Sequence, residues 1–301
     1  MVKTTHINIK SARISDSNLD KMLKISVIIT TFNRRHLLQK AIRSVLGQSY
    51  SPHEIIVIDD GSEDGTDRLV REQFPQIIYH RQANRGISAA RNNGIKMSTG
   101  DWIAFLDADD EWLPDKLYLQ ATALEQNPGH NICHTDEQWI RHGRRVNQMK
   151  KHRKYGGNIF EKCLPLCIIS PSSVIIKQSL FDRTGLFNTA LPVCEDYEMW
   201  LRICAKEPVL YIDQPLIIKY GGHADQLSRR YWGMDRFRIM ALENILRQED
   251  LDFNQRLAVL QTLIKKTIIV RNGAEKRGNT KLLSEYNEKL TRYNNVLNML
   301  P

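Results

Sequence analysis

The sequence predicts an α/β fold, a mostly parallel, doubly wound sheet followed by a C-terminal helical appendage. Three observations predict it. Short apolar runs alternate with helix-period segments from Lys24 to Leu106, joined by short links. Three of those runs end in polar or acidic residues, Thr30-Thr31, Asp59-Asp60 and Asp107-Ala108-Asp109. After Arg229 every apolar stripe repeats at helical spacing.

Each element follows from local pattern. Lys24 to Thr30 is apolar on both faces, as in a covered strand. Leu37, Leu38, Ala41, Ile42, Val45 and Leu46 then form a helical stripe. Glu54 to Ile58 is a second strand, Thr66 to Gln73 a short helix, and Ile77 to His80 a third strand. Ile87, Ala90, Arg91, Gly94 and Ile95 share a helical face, with Gly100 as a stop signal close behind. Trp102 to Leu106 is the fourth strand, and Leu117 to Leu124 a helix. Asn131 to Thr135 and Ser172 to Ile176 read as strands, Ser179 to Thr184 as a helix closed by Gly185. A helix begins at Glu195-Asp196, with Met199, Trp200 and Ile203 on one face. Val209 to Ile212 and Leu216 to Tyr220 read as two strands around Pro215.

This divides the chain into a polar, patternless extension over 1–22, a domain over 23–228 and a helical region over 229–301. Within the domain, 23–110 carries the strand-end acids and 111–228 is less regular. The 301 residues carry a net charge of +9, which favours anionic partners. No run approaches the roughly 20 apolar residues of a membrane-spanning helix. The first 22 residues hold Lys3, Lys10, Arg13 and Lys21 without an apolar stretch, which argues against a secretory signal. Five irregularly spaced cysteines without a Cys-x-x-Cys pair read as reduced thiols of a cytoplasmic protein. Residues 141–154 are basic without an acid, the pattern of a solvated loop or of a contact to phosphates or a membrane surface.

The strand ending in Asp107-Ala108-Asp109-Asp110 crowds carboxylates that repel one another unless a cation sits among them. A hard divalent ion takes such oxygens together with substrate phosphates. The alternative is a solvated acidic turn before the helix that Leu113-Pro114-Asp115 starts, with Asp110 and Glu111 belonging to that helix start. Ligands of doubly wound sheets bind outside the carboxyl ends of the strands, where three polar strand ends converge here. Glu195 and Asp196 sit where the helix dipole favours negative charge, so they read as caps or as a functional pair.

Five ordered motifs go further: Val27-Ile28-Ile29-Thr30-Thr31-Phe32-Asn33-Arg34, Val57-Ile58-Asp59-Asp60-Gly61-Ser62, Asn84-Arg85-Gly86 with Ala89-Ala90-Arg91-Asn92, Phe105-Leu106-Asp107-Ala108-Asp109-Asp110, and Glu195-Asp196-Tyr197-Glu198-Met199-Trp200-Leu201-Arg202. Together they resemble the family-2 inverting glycosyltransferases of GT-A fold, over about Lys24 to Ser228. The resemblance implies a nucleotide-diphosphate sugar donor, UDP-linked rather than GDP-linked, and a Mg²⁺ or Mn²⁺ cofactor. By position, Thr30, Phe32, Asn33, Asp59 and Asp60 would frame the nucleoside. Arg91 would lie towards the donor phosphates or sugar. Asp107 and Asp109 form the Asp-x-Asp motif, Asp109 on the metal and Asp107 on the ribose or a metal-bound water. Asp196, beside Glu195, would be the catalytic base, and His223 a further metal or phosphate ligand.

The acceptor implied is a glycan or a lipid-linked molecule of surface polysaccharide or glycolipid synthesis. Residues 141–154 are then a peripheral contact to the inner face of the membrane; oligomeric state is left open. A nucleotidyltransferase on a related sheet would want a glycine-rich loop where Thr30 to Arg35 has no glycine. A non-catalytic nucleotide-sugar or nucleic-acid binder is the other alternative, and the intact acidic set argues against it.

Overall fold

The computed structural model describes residues 23–222, 231–248 and 250–300. The sequence readings on residues 1–22 and on His223 lie outside the described residues.

The strands are β1 (Ile25–Thr31), β2 (Glu54–Asp59), β3 (Ile78–Arg81), β4 (Trp102–Asp107), β5 (Asp110–Trp112), β6 (Ile132–Arg141), β7 (Arg144–Val146), β8 (Ile175–Lys177) and β9 (Leu210–Gly221). The helices are α1 (Arg35–Leu46), α2 (Thr66–Gln73), α3 (Ile87–Met97), α4 (Lys116–Gln126), α5 (Phe160–Cys163), α6 (Leu180–Thr184), α7 (Glu195–Cys204), α8 (Met234–Gln248), α9 (Phe253–Lys276) and α10 (Thr280–Asn298). One sheet runs β3-β2-β1-β4-β8-β6-β9-β5, with β7 paired to β6. The first four strands are parallel. β8 enters antiparallel between β4 and β6, and β9 is parallel to β6.

Alternation along the strands feeds two cores. Ile28, Ile56, Ile58, Ile103 and Phe105 pack under α3 and α7. Val27, Ile29, Val57, Ala104 and Leu106 pack under α1 and α4. Each such buried side chain contributes roughly 1.5–3 kcal/mol. Gly94 lets α3 lie directly on β1, since a Cβ there would collide with the Ile28 side chain. The C-terminal stripes continue the first core: Leu242, Ile245, Val259, Leu263, Tyr286 and Tyr293 join the cluster holding Trp200.

Three elements differ from the sequence pattern. The expected strand pair around Pro215 is one strand, β9. Pro215 lacks an N–H, and the pairing with β6 becomes irregular beside it, at Asp136. Pro171–Ser173 forms a 3-10 turn, which delays β8 to Ile175. β6 runs on to Arg141 because β9 and β7 pair with its polar second half. The basic stretch is therefore partly a β6–β7 hairpin, and Lys154 folds inward onto Glu137 at 3.0 Å instead of into solvent.

Candidate active site

Strand register brings the three polar strand ends together. Thr31 pairs with Asp59, and Thr30 pairs with Asp107, so β2, β1 and β4 finish on one edge. A cleft of about 1270 Å³ opens there, walled by Thr30, Phe32, Asn33, Asp60, Arg91, Asp107, Asp109, Glu195 and Asp196.

The acidic strand end is braced from two sides. Asp109 pairs with Arg34 at 2.5 Å. Asp107 accepts from Arg91 Nη2 at 2.8 Å, while Arg91 Nη1 donates to Glu195 Oε1 at 2.6 Å. The buried Arg91 guanidinium is thus a bracket between the β4 end and the start of α7. Burial opposes charge on both partners. The Asp107 and Glu195 carboxylates still hold Arg91 protonated, and Arg91, Lys219 and Arg34 hold the Asp107 carboxyl below its usual range. Glu195 goes the other way: burial and the neighbouring Asp196 outweigh Arg91 and raise it to about 7. Cys194 enters α7 with φ 63, a conformation uncommon for a residue with a Cβ, and so turns both acids onto the first turn. Asp196 is only partly buried; its carboxylate accepts from the Tyr197 amide at 2.6 Å and from Cys167 Sγ at 3.3 Å.

Asp110 is a correction. It belongs to β5, not to the following helix start, and its buried carboxylate accepts from Ser172 Oγ at 2.6 Å. Burial, with Asp109 and Asp107 close by, raises its pKa well above the usual value. Glu111 also leaves the helix start and accepts from Tyr220 at 2.8 Å. Helix α4 begins only at Lys116.

Asp59 and Asp60, expected from the resemblance to frame a nucleoside, differ in their surroundings. Asp59 is fully buried and tied into the β2 turn, accepting from the Ser62 amide at 2.8 Å and the Tyr79 hydroxyl at 2.6 Å. Asp60 lines the cleft and straps the following loop by accepting from the Arg85 and Gly86 amides at 2.9 and 2.8 Å. Asn33 sits at φ 51 and bridges loops: its amide donates to Ser62 Oγ, and its side-chain oxygen accepts from the Glu63 amide. Phe32 is 42% exposed at the mouth, a large apolar ring left uncovered.

Two cleft groups, Ser88 and Lys219, were not singled out by the sequence. Thr31 Oγ1, Ser88 Oγ and Arg91 Nε are buried in the cleft wall without a hydrogen-bond partner among the described residues. Buried polar groups are nearly always satisfied, so these three are donors or acceptors open to water or to a ligand. Lys219 from β9 also lines the cleft and donates to Ser170 Oγ at 2.9 Å. Burial disfavours its charge, but Glu137, Asp110, Asp107 and Asp196 outweigh burial and keep it protonated. Its signal in the sequence was a lone lysine in the apolar run Leu216 to Tyr220.

Asp107 and Asp109, at the end of β4, carry hard carboxylate oxygens of the kind Mg²⁺ or Mn²⁺ takes, each now engaged by an arginine. No group of three His, Cys, Asp or Glu ligands placed to hold a metal occurs among the described residues, so a cation held here would need further oxygens from a phosphate-bearing ligand.

The family model described as "Glycosyl transferase family 2" matches residues 26–185. The chain belongs to glycosyl transferase family 2. An uncharacterized glycosyltransferase of Rickettsia felis is 35% identical over 195 residues, 64% of this chain and 32% of that protein. The glycosyltransferase described here thus matches about a third of the length of that relative. The Escherichia coli protein WfaP, described as a UDP-Glc:alpha-D-GlcNAc-diphosphoundecaprenol beta-1,3-glucosyltransferase, is 31% identical over 189 residues, 60% of this chain and 70% of WfaP. S. aureus TarS 1–349 in complex with UDP-GlcNAc superposes with a TM-score of 0.71 at 18% identity, covering 93% of this chain and 82% of that one. The mannosyltransferase PcManGT from Pyrobaculum calidifontis, in complex with GDP-Man and Mn²⁺, gives 0.56 at 17% identity, covering 90% and 84%. These neighbours show that the glycosyltransferase has the GT-A fold.

Proposed function

We propose that this glycosyltransferase moves a sugar from a UDP-linked donor to an acceptor hydroxyl with inversion, assisted by Mg²⁺ or Mn²⁺. The carrying observation is the facing of two acidic sets across one cleft, Asp107, Asp109 and Asp110 on the β4–β5 turn and Glu195 and Asp196 on α7, with Arg91 between them. The first set suits a cation and a diphosphate, the second a base.

The steps follow from the chain's own groups. Asp60 shapes the loop over the nucleoside, beside the Phe32 ring and Thr30. Ser88 Oγ and Arg91 Nε offer donors on one face of α3, three residues apart, to the sugar or its phosphates. Asp109 and Asp107 would hold the metal, which when bound neutralises charge on the diphosphate leaving group. Asp196 takes the proton of the acceptor hydroxyl as that oxygen attacks the anomeric carbon, and the C–O bond to the diphosphate breaks on the opposite face. Glu195, fixed by Arg91, positions this turn.

A lipid-linked acceptor at a cytoplasmic membrane surface is the reading favoured by WfaP's described substrate and by the basic β6–β7 hairpin. No helix among the described residues is long and apolar enough to cross a membrane. The test is a donor panel of UDP- and GDP-sugars incubated with Mn²⁺ and with diphospholipid-linked GlcNAc, read by mass and by the anomeric coupling of the product. A product of inverted configuration from a UDP-sugar supports the reading. A retained configuration contradicts it, as does turnover confined to GDP-sugars.

A further inference from the structure

Among the described residues the cleft is lined by four basic side chains, Arg34, Arg85, Arg91 and Lys219. Arg34 pairs with Asp109, Arg91 pairs with Asp107 and Glu195, and Arg85 is exposed. Lys219, half-buried, makes no ion pair among the described residues. Its hydrogen bond goes to a neutral hydroxyl, Ser170 Oγ at 2.9 Å. An ammonium has three donors, so this leaves capacity for a ligand.

Its placement is fixed by the sheet. Lys219 on β9 lies directly across from Asp110 on β5 and from Trp139 on β6. The carboxylates that influence it come from both walls of the cleft: Asp107 and Asp110 on one, Asp196 on the other, with Glu137 behind. Lys219 therefore lines the same cleft as the Asp107–Asp110 turn, Glu195 and Asp196, and lies beside Asp110 across the β5–β9 ladder. A fully exposed lysine would be hydrated and screened, whereas the half-buried Lys219 acts at a lower effective dielectric than bulk water.

We propose that Lys219 is a catalytic residue that binds a donor phosphate oxygen and stabilises the nucleoside-diphosphate leaving group from the protein side, in addition to the divalent ion. This rests on the glycosyl-transfer reading above. The bond balance is unchanged by it: the acceptor oxygen bonds the anomeric carbon, the electron pair of the breaking C–O bond goes to the diphosphate, and Lys219 keeps its proton throughout. One consequence is that UDP keeps measurable affinity without a metal.

The test is calorimetry of UDP with the full-length protein, in EDTA and with Mn²⁺, alongside kcat and KM for the donor. Lys219→Gln retains a donor for Ser170 but loses the charge; Lys219→Arg retains the charge. Thermal unfolding checks that each variant is folded, and Lys219→Met replaces Lys219→Gln if the latter is not. The neutral variant is expected to bind UDP at least tenfold more weakly in EDTA and to lose kcat at least tenfold at saturating donor. Lys219→Arg is expected to remain within about threefold of wild type in EDTA. A neutral variant within twofold of wild type in both readouts overturns the proposal. So does Lys219→Arg as weak as the neutral variant, since charge would then not be what matters. A wild-type protein that binds no nucleoside diphosphate even with Mn²⁺ refutes instead the functional reading beneath it.

Discussion

Replacing Arg91 with Met keeps an apolar stem of similar length and removes only the guanidinium. In the wild type that group makes two short charged hydrogen bonds, 2.6 Å to Glu195 and 2.8 Å to Asp107, while only 2% exposed. A hydrogen bond to a charged group contributes about 1.5–3 kcal/mol net. Removing one partner of a buried ion pair costs about 3–5 kcal/mol, because the remaining charge stays desolvated. Arg91→Met is therefore expected to lose about 3–5 kcal/mol by urea unfolding followed through tryptophan fluorescence. The triple variant Arg91→Met, Asp107→Asn, Glu195→Gln removes the stranded charges and is expected to recover more than half of that loss. The bracket argument is refuted if Arg91→Met costs under about 1 kcal/mol, or if neutralising both acids recovers nothing. The same variant should lose transfer activity, since the bracket fixes both acidic walls of the cleft.

Asp109→Ala is expected to weaken UDP binding at least tenfold, about 1.4 kcal/mol, in the presence of Mn²⁺ but not in EDTA, as read by calorimetry; equal weakening in both would remove Asp109 from the metal. Glu195 gives a pH signature. Its pKa is raised on folding from 4.5 to about 7, so the folded state binds that proton more tightly. The resulting stability is complete below pH 4.5 and is lost as pH rises through about 7, at most about 3 kcal/mol. Glu195→Gln should flatten that stretch of the stability–pH curve, and an unchanged curve would show that Glu195 titrates as it does in the unfolded chain.

The parallel half of the sheet, within residues 23–110, was readable from sequence because its signals are local. Apolar runs ending in Thr30-Thr31, Asp59-Asp60 and Asp107-Ala108-Asp109 imply parallel strands with a shared edge, and the register joins all three. The roles of individual acids were less legible, because they depend on partners distant in sequence. Asp59 and Asp60 are adjacent, yet Tyr79 and Ser62 engage the first while the 82–86 loop closes on the second. Arg91 was readable as a cleft residue, but its two partners lie 16 and 104 positions away. Asp110 was misplaced because Pro114 is a strong helix-start signal, whereas pairing with β9 is long-range and converts Asp110–Trp112 to strand. Lys219 carried no motif at all; only the pairing of β9 between β5 and β6 brings it to the cleft.

The central claim is transfer by direct attack, with Asp196 as the base. Asp196→Asn, measured for donor affinity by calorimetry and for transfer rate with the same UDP-sugar, tests it most directly. The account predicts donor affinity within about twofold of wild type and a transfer rate lower by roughly 10²–10⁴-fold, the range of general-base catalysis. Transfer at near wild-type rate would contradict it.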